Sequence, residues 1–186
     1  MVGQRRKKSL TDSPFEVGLH RKTEYLSAVN EFLYQGAVLG EAVFACYVAL
    51  ETDASRRHKW ATCLQLETET KARLRPFLMK LGLSVAQNDV SQIVAGFANT
   101  FGAKSWQQHM EEMRSITDFY LEKFRAIEAA APADERDIAH SMVVHESALN
   151  SFACLELAGD TKNSLVDVIA QLKWPIPYLQ AAQLSA

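Results

Sequence analysis

Apolar residues recur every three or four positions along four long stretches of the chain, which is the period of a helix that is buried on one side. The predicted helices cover about residues 24–52, 56–81, 105–128 and 135–158. Each would be about 36–43 Å long at the 1.5 Å rise of an α-helix. The pattern is helical rather than alternating, and it therefore predicts an all-α protein.

The connections predict how these helices are arranged. The first and second helices are separated by only a few residues, as are the third and fourth, so each pair should form an antiparallel hairpin. The connection 83–103 is long enough to run the length of the bundle, and it carries a short helix of its own. We therefore expect a four-helix bundle with one long crossover at 24–158. An arm with a short helix at 1–23 precedes it, and a short C-terminal helix and tail at 159–186 follow it.

Composition narrows the range of functions. The 20 Lys and Arg nearly balance the 22 Asp and Glu, so no overall field attracts nucleic acid. The basic run Arg5–Lys8 reads as a solvated terminus.

No apolar run approaches the roughly 20 residues needed to span a membrane, so no membrane is expected as a partner. Cys46, Cys63 and Cys154 lack a CxxC spacing, and they indicate reduced packing residues in the cytoplasm.

The inner faces of the predicted helices carry a few polar residues at one level. Glu41 lies 12 residues before the turn of the first hairpin, and Glu67 lies 14 after it. Tyr120 lies 12 residues before the turn of the second hairpin, and His145 and Glu146 lie 13 and 14 after it. At 1.5 Å per residue all five are about 20 Å from a turn. We therefore expect them to meet near the middle of the bundle.

The stretch VVHESALNSF, residues 143–152, places His145 directly before Glu146. It is not the zinc-protease pattern HExxH, because Leu149 occupies the second histidine position. The remaining histidines, His109 among them, are expected at the surface. The sequence leaves open which of the two neighbours, 100° apart on the helix, faces the core.

Two interpretations of these polar residues near the middle of the bundle are open. Buried carboxylates are costly unless they are paired, protonated or bound to a metal, and carboxylates with an imidazole suit iron or manganese. Glu41, Glu67, His145 and Glu146 are the candidate metal ligands, with Thr70 and Tyr120 beside them. Alternatively Lys71, four residues after Glu67, could complete a hydrogen-bonded polar layer that needs no metal.

With this layout and these residues, the chain resembles the ferritin-like superfamily of rubrerythrins and bacterioferritins over about 24–158. That family places a glutamate on the first helix, Glu-x-x-His on the second, a glutamate on the third and Glu-x-x-His on the fourth. Glu41 in GEAVFACY and Glu67 in LQLETETKARL match the glutamates of the first two helices. Thr70 occupies the histidine position of the second helix. The third helix has Thr117 and Tyr120 at its central inner positions, so its glutamate is missing unless Asp118 substitutes. On the fourth helix two registers compete, because Met142-x-x-His145 keeps only the histidine and Glu146-x-x-Leu149 keeps only the carboxylate.

The resemblance implies a metal-binding protein with an altered iron or manganese carboxylate site, and it extends to oxidoreductase activity. The alternative is a metal-free helical scaffold or interaction module, a homodimer through exposed apolar faces, whose polar layer fixes the helix register. A third hypothesis is an enzyme that binds an organic ligand within the bundle, with Glu41 or Glu67 as general acid or base. No catalytic residue is assigned.

Overall fold

The computed structural model describes residues 22–177, and all regular elements among them are helical. The helices are α1 Lys22–Ala28, a π-helical turn Val29–Tyr34, α2 Gln35–Leu50, α3 Ala54–Lys80, α4 Ser91–Phe101, α5 Trp106–Ala130, α6 Arg136–Leu157 and α7 Val166–Ile169. The all-α prediction is confirmed, and the four long helices begin and end within about two residues of the predicted positions. The predicted arm up to residue 21, with its basic run, lies outside the described residues.

The helix ends follow from local side-chain chemistry. Asp53 precedes α3, and its Oδ1 accepts a 2.8 Å hydrogen bond from the Arg56 backbone N–H. Ser105 and Gln108 form a reciprocal capping box at the start of α5. Gly159 ends α6 with a φ of +82°, a left-handed conformation that glycine adopts without strain.

The helices pack as two hairpins. The α2 helix lies against α3, and α5 lies against α6. The hairpins meet where α3 touches α6 and where the π-helical turn touches α5. The α4 helix packs on α2, and α7 packs on α6 and α3.

Three polar side chains hold the crossover 84–88 to the first long helix. Asn30 Nδ2 donates to the Ser84 carbonyl at 3.0 Å, and the Tyr34 hydroxyl donates to the Val85 carbonyl at 2.8 Å. Gln35 donates to the Ala86 carbonyl at 2.9 Å and accepts from the Asn88 N–H at 3.0 Å. The crossover is therefore bonded along the outside of the bundle before α4 begins.

A polar layer divides the core into two apolar clusters. One cluster contains Leu33, Leu74 and Phe124, and the other contains Phe44, Leu66 and Phe152. The layer consists of five buried residues that lie between the clusters along the helices: Glu67, Thr70, Thr117, His145 and Glu146. The core therefore has polar groups at the level predicted from the sequence.

The first long helix, Lys22–Leu50, is long and apolar enough to cross a membrane by length and composition, since an 18-residue window within it has a mean hydropathy of 1.5. This differs from the expectation that no apolar run approaches that length. Core helices of water-soluble proteins and signal sequences pass the same test. In this structure the helix packs against α3, α4 and α5. The observation by itself therefore assigns no membrane.

Candidate functional site

A partly open cavity of about 110 Å³ lies between α2 and α5, with α3 and α6 behind it. Its walls are largely apolar and include the aromatic side chains of Phe44, Tyr47, Trp60, Phe97, Tyr120 and Phe124. Ile116 of α5 also borders the cavity and is 38% exposed, so the cavity reaches the surface beside this residue. An engineered dry cavity of about 150 Å³ takes up benzene. The cavity is thus of a size for a small molecule built on about one six-membered ring.

Three buried titratable side chains of α3 and α6 line this cavity: Glu67 from α3, with His145 and Glu146 from α6. We call them the Glu67 cluster. His145 Nε2 lies 3.4 Å from Glu67 Oε1, and His145 Nδ1 shares a 3.1 Å hydrogen bond with Thr70 Oγ1. The second carboxylate oxygen of Glu67, Oε2, is buried and has no hydrogen-bond partner. Both neighbours in the pair His145–Glu146 therefore face the core and meet Glu67.

Gly40 of α2 makes room for the Glu67 carboxylate. A Cβ atom added at Gly40 would lie 2.5 Å from Glu67 Oε1 and 2.7 Å from Cδ, so the Glu67 carboxylate would have to move to admit a side chain there. One turn earlier, a Cβ at Gly36 would make an ordinary 3.5 Å contact with Tyr120 Cε1. The sequence analysis missed Gly40. Two glycines four residues apart on an apolar helix were the available signal, since glycine permits close approach.

The Glu67 cluster places two acidic side chains close together in a buried site. Burial raises the pKa of Glu146 well above its ordinary value of 4.5, and the nearby charge of Glu67 raises it further. Tyr120 borders the same cavity, and its pKa is raised by burial and then by the charges of Glu146 and Glu67. In the described part of the chain, no Lys or Arg forms an ion pair or hydrogen bond with either glutamate. The cluster therefore holds two carboxyl groups without a lysine or arginine to balance them.

The predicted residues Glu41 and Lys71 lie apart from the cavity lining and pair with each other. Glu41 also accepts a 2.8 Å hydrogen bond from the Thr68 hydroxyl. The Glu41 side chain is 24% exposed, at the edge of the α2–α3 contact. Since Lys71 is engaged by Glu41, it does not complete the polar layer around Glu67.

The structure thus brings together Glu67, His145 and Glu146, with Thr70 and Tyr120 beside them, and leaves Glu41 outside the group. Among residues 22–177, no set of three or more His, Cys, Asp or Glu side chains is arranged to hold a metal ion as the side chains stand. The carboxylate and imidazole groups are suitable metal ligands, but these side chains would have to rotate toward a common point to bind one ion.

The far end of the cavity also has polar atoms without partners. Trp60 Nε1 and His109 Nδ1 are buried and have no hydrogen-bond partner, and both residues line the cavity. His109 Nε2 is satisfied at 3.2 Å by the Phe101 carbonyl. His109 is 5% exposed, so its predicted surface position is wrong. Its ring packs instead under Tyr47 and Phe101, and burial lowers its pKa.

A second buried carboxylate, Glu156, has a different environment. Lys59 forms an ion pair with it, the Ser164 hydroxyl donates to the same oxygen, and Trp106 Nε1 donates to the other oxygen at 2.7 Å. Lys59 also donates to the Thr161 carbonyl at 3.1 Å. We call these residues the Lys59 cluster. It joins α3, α5 and α6 to the segment before α7, with both oxygens of the carboxylate occupied.

Comparison with known proteins gave no match, since no family model, curated protein or solved structure is significantly similar to the chain. The resemblance to ferritin-like proteins therefore stays a prediction. Any functional proposal depends on the geometry of the cavity and of the Glu67 cluster.

Proposed function

We propose that the protein is a ferritin-like helical bundle that binds a small molecule in the cavity between α2 and α5. The Glu67 cluster forms the polar end of this site. One observation carries the proposal: three buried polar atoms without protein partners, Glu67 Oε2, Trp60 Nε1 and His109 Nδ1, belong to residues that line one cavity. Leaving a buried donor or acceptor unpaired costs about 1–3 kcal/mol. The three atoms are themselves covered by protein, so a bound molecule would recover part of that cost once their side chains turn toward it.

The layout supports the ferritin-like part of the proposal. Two helical hairpins are joined by the long crossover 81–90 and α4, and the polar groups lie at mid-helix between two apolar clusters. Bundles of this type place their ligand and metal sites in the core, on side chains from facing helices. Glu67 on α3 faces His145 and Glu146 on α6 in this way.

Blocking the mouth of the cavity tests the proposal directly. Thermal unfolding and calorimetric titration of the full chain would be measured with toluene, benzyl alcohol, benzylamine and benzoate. We expect at least one of these probes to bind with 1:1 stoichiometry and to raise the melting temperature. Binding should be lost in Ile116→Trp, because the larger ring covers the opening.

Phe119→Trp is the matched control. Phe119 lies on the same helix and is 50% exposed, but it does not line the cavity. It should bind the probe as the wild type does. If no probe binds the wild type, or if both variants bind equally well, the cavity is not a ligand site.

Metal binding is the second candidate function, favoured by the orientation of His145. Its Nδ1 shares a hydrogen bond with Thr70 while Nε2 points to Glu67, and a hydrogen bond to one ring nitrogen fixes the orientation of the other. Glu67, His145 and Glu146 would hold iron or manganese, and oxidoreductase activity would depend on that metal. Bound metal would neutralise the two carboxylates at the cavity wall.

Metal analysis of protein purified without a nickel column tests this candidate. Stoichiometric iron or manganese that is lost in Glu67→Ala and retained in Glu41→Ala would support it, since Glu41 lies outside the cavity. No metal in the wild type would count against it. If both ligand and metal tests are negative, and Glu67→Gln is as stable as the wild type or more so, the metal-free scaffold is the better interpretation. The homodimer and the cytoplasmic location stay predictions.

A further inference from the structure

We infer that the ligand of this cavity is a small protonated amine with an apolar, ring-sized body. The inference rests on the proposed function and specifies its ligand class. The ammonium group would lie at the Glu67 cluster, and the body would fill the aromatic part of the cavity toward Trp60. Two kinds of observation carry it, namely the charges of the cluster and the composition of the walls.

The first observation is an imbalance of charge. Glu67 and Glu146 are 4% and 6% exposed, and both line the cavity. Lys71 is paired with Glu41, and the Arg73 guanidinium donates to Thr70 and to the Met142 sulfur and interacts with the charge of Glu69, within the part of the chain that the structure describes. His145 lies 3.4 Å from Glu67, so it can balance one of the two carboxyl groups at most. A buried carboxylate without a cation is expensive. A cationic ligand would therefore be favoured over a neutral or an anionic one.

The second observation is the unsatisfied oxygen. Glu67 Oε2 is buried and without a partner, while Oε1 has only the 3.4 Å contact with His145. An ammonium group has three N–H donors and no acceptor. With the Glu67 carboxylate turned toward the cavity, an ammonium group would donate to it and to the carboxyl of Glu146. Charge-assisted hydrogen bonds of this kind are about twice as strong as neutral ones.

The walls favour an organic cation over a bare ion. Aromatic side chains from α2, α3, α4 and α5 line most of the cavity beyond the Glu67 cluster. A hydrated ion gains nothing from these surfaces, whereas an apolar body loses its contact with water on them. Aromatic faces also attract a nearby cation through their quadrupole. The cavity therefore matches a molecule with one charged end and one apolar end.

Titration of the full chain with a matched set of probes tests the ligand class. Benzylamine and benzyl alcohol differ in the charge of one group, benzoate carries the opposite charge, and toluene lacks the polar group. We expect benzylamine to bind at least tenfold more tightly than benzyl alcohol and toluene, and benzoate to bind least. The apolar body should give binding a negative heat-capacity change.

Variants that remove one carboxylate charge test whether the Glu67 cluster causes the preference for an amine. Glu67→Gln and Glu146→Gln keep the side-chain shape and remove a repulsion, so both should fold. Each is expected to lower the ratio of benzylamine to benzyl alcohol affinity by tenfold or more, with benzyl alcohol affinity changed by less than threefold. Glu111→Gln is the control, because Glu111 is exposed on α5, does not line the cavity and should leave the ratio unchanged.

The outcomes separate this inference from the proposed function. If benzyl alcohol or toluene binds as tightly as benzylamine, and Ile116→Trp abolishes that binding, the cavity is a ligand site and the amine inference is wrong. An unchanged affinity ratio in Glu67→Gln and Glu146→Gln would overturn it as well. If none of the four probes binds the wild type, the inference and the proposed function fail together.

Discussion

The Lys59 cluster and the Glu67 cluster both bury carboxylates between the long helices, and they differ in how those carboxylates are satisfied. Glu156 has a lysine, a hydroxyl and an indole N–H on its two oxygens. Glu67 has one 3.4 Å contact and one oxygen with no partner, and Glu146 lies beside it. The first arrangement is complete within the chain. In the second arrangement a carboxylate oxygen has no partner, and a bound cation would supply one. The comparison therefore distinguishes a cluster that stabilises the fold from a cluster that is available for binding.

Removing the cation of the Lys59 cluster should have the largest effect. Lys59→Met leaves Glu156 charged in a buried site, and breaking a buried ion pair costs about 3–5 kcal/mol. We expect the free energy of unfolding in urea to fall by about that amount. The double variant Lys59→Met with Glu156→Gln should recover part of it. A loss below about 1 kcal/mol in the single variant would contradict the view that this cluster stabilises the fold.

A methyl group at Gly40 should have the next largest effect. Gly40→Ala pushes the Glu67 carboxylate away from α2, and overpacking of this kind costs about 1–3 kcal/mol. At Gly36 the same change meets Tyr120 at an ordinary contact distance, and Gly36→Ala should gain up to about 1 kcal/mol from helix propensity. Chemical denaturation of both variants measures the difference. Equal stabilities would show that the carboxylate is free to move.

Neutralising Glu146 should give a smaller change that depends on pH. Glu146 faces Glu67 from α3 and Tyr120 from α5, with His145 beside it, and its pKa is raised by burial and by the charge of Glu67. The folded chain therefore holds the proton more tightly than the unfolded chain does. The free energy of unfolding should fall as the pH rises above about 4.5, and level off once folded Glu146 has lost its proton.

In Glu146→Gln this contribution is absent. The variant should be more stable than the wild type at pH 8, by about 1 kcal/mol or more, and equal to it near pH 4. Urea denaturation at several pH values measures both curves. Parallel curves for the two proteins would mean that Glu146 titrates as it does in water.

The smallest effect is expected at the surface. Lys80 and Asp134 form a 3.0 Å ion pair, and their side chains are 60% and 68% exposed. Water and salt screen such a pair almost completely. Lys80→Ala should leave the free energy of unfolding unchanged within the error of a denaturant titration. A measurable loss would mean that exposed pairs matter in this bundle and would weaken the contrast with Lys59.

The level of the polar layer could be predicted because helices rise by a constant 1.5 Å per residue. Counting from the hairpin turns placed Glu67, His145 and Glu146 together without any knowledge of packing. A single apolar face leads one to expect only one of two neighbouring residues to be buried. The burial of both His145 and Glu146 could therefore not be predicted. The α6 helix contacts α5, α3 and α7, so more than half of its circumference is covered.

Other parts of the site depend on side-chain directions and helix spacing, which a periodic pattern does not contain. Lys71 lies one turn after Glu67 and also within reach of Glu41, and only the structure shows that it pairs with Glu41. The cavity depends on how far α5 stands from α2. The burial of His109 likewise requires α4 to fold over it, through Phe101.

The α4 helix has a consequence for the rate at which the cavity fills. None of its residues is buried, yet Phe97 forms part of the cavity wall. Local opening needs little free energy where few apolar contacts are broken. The backbone amides of 91–101 should therefore exchange their hydrogens with solvent faster than those of α3 or α6, and a bound ligand should slow that exchange. Detachment of this helix would then add a second route into the cavity besides the opening at Ile116.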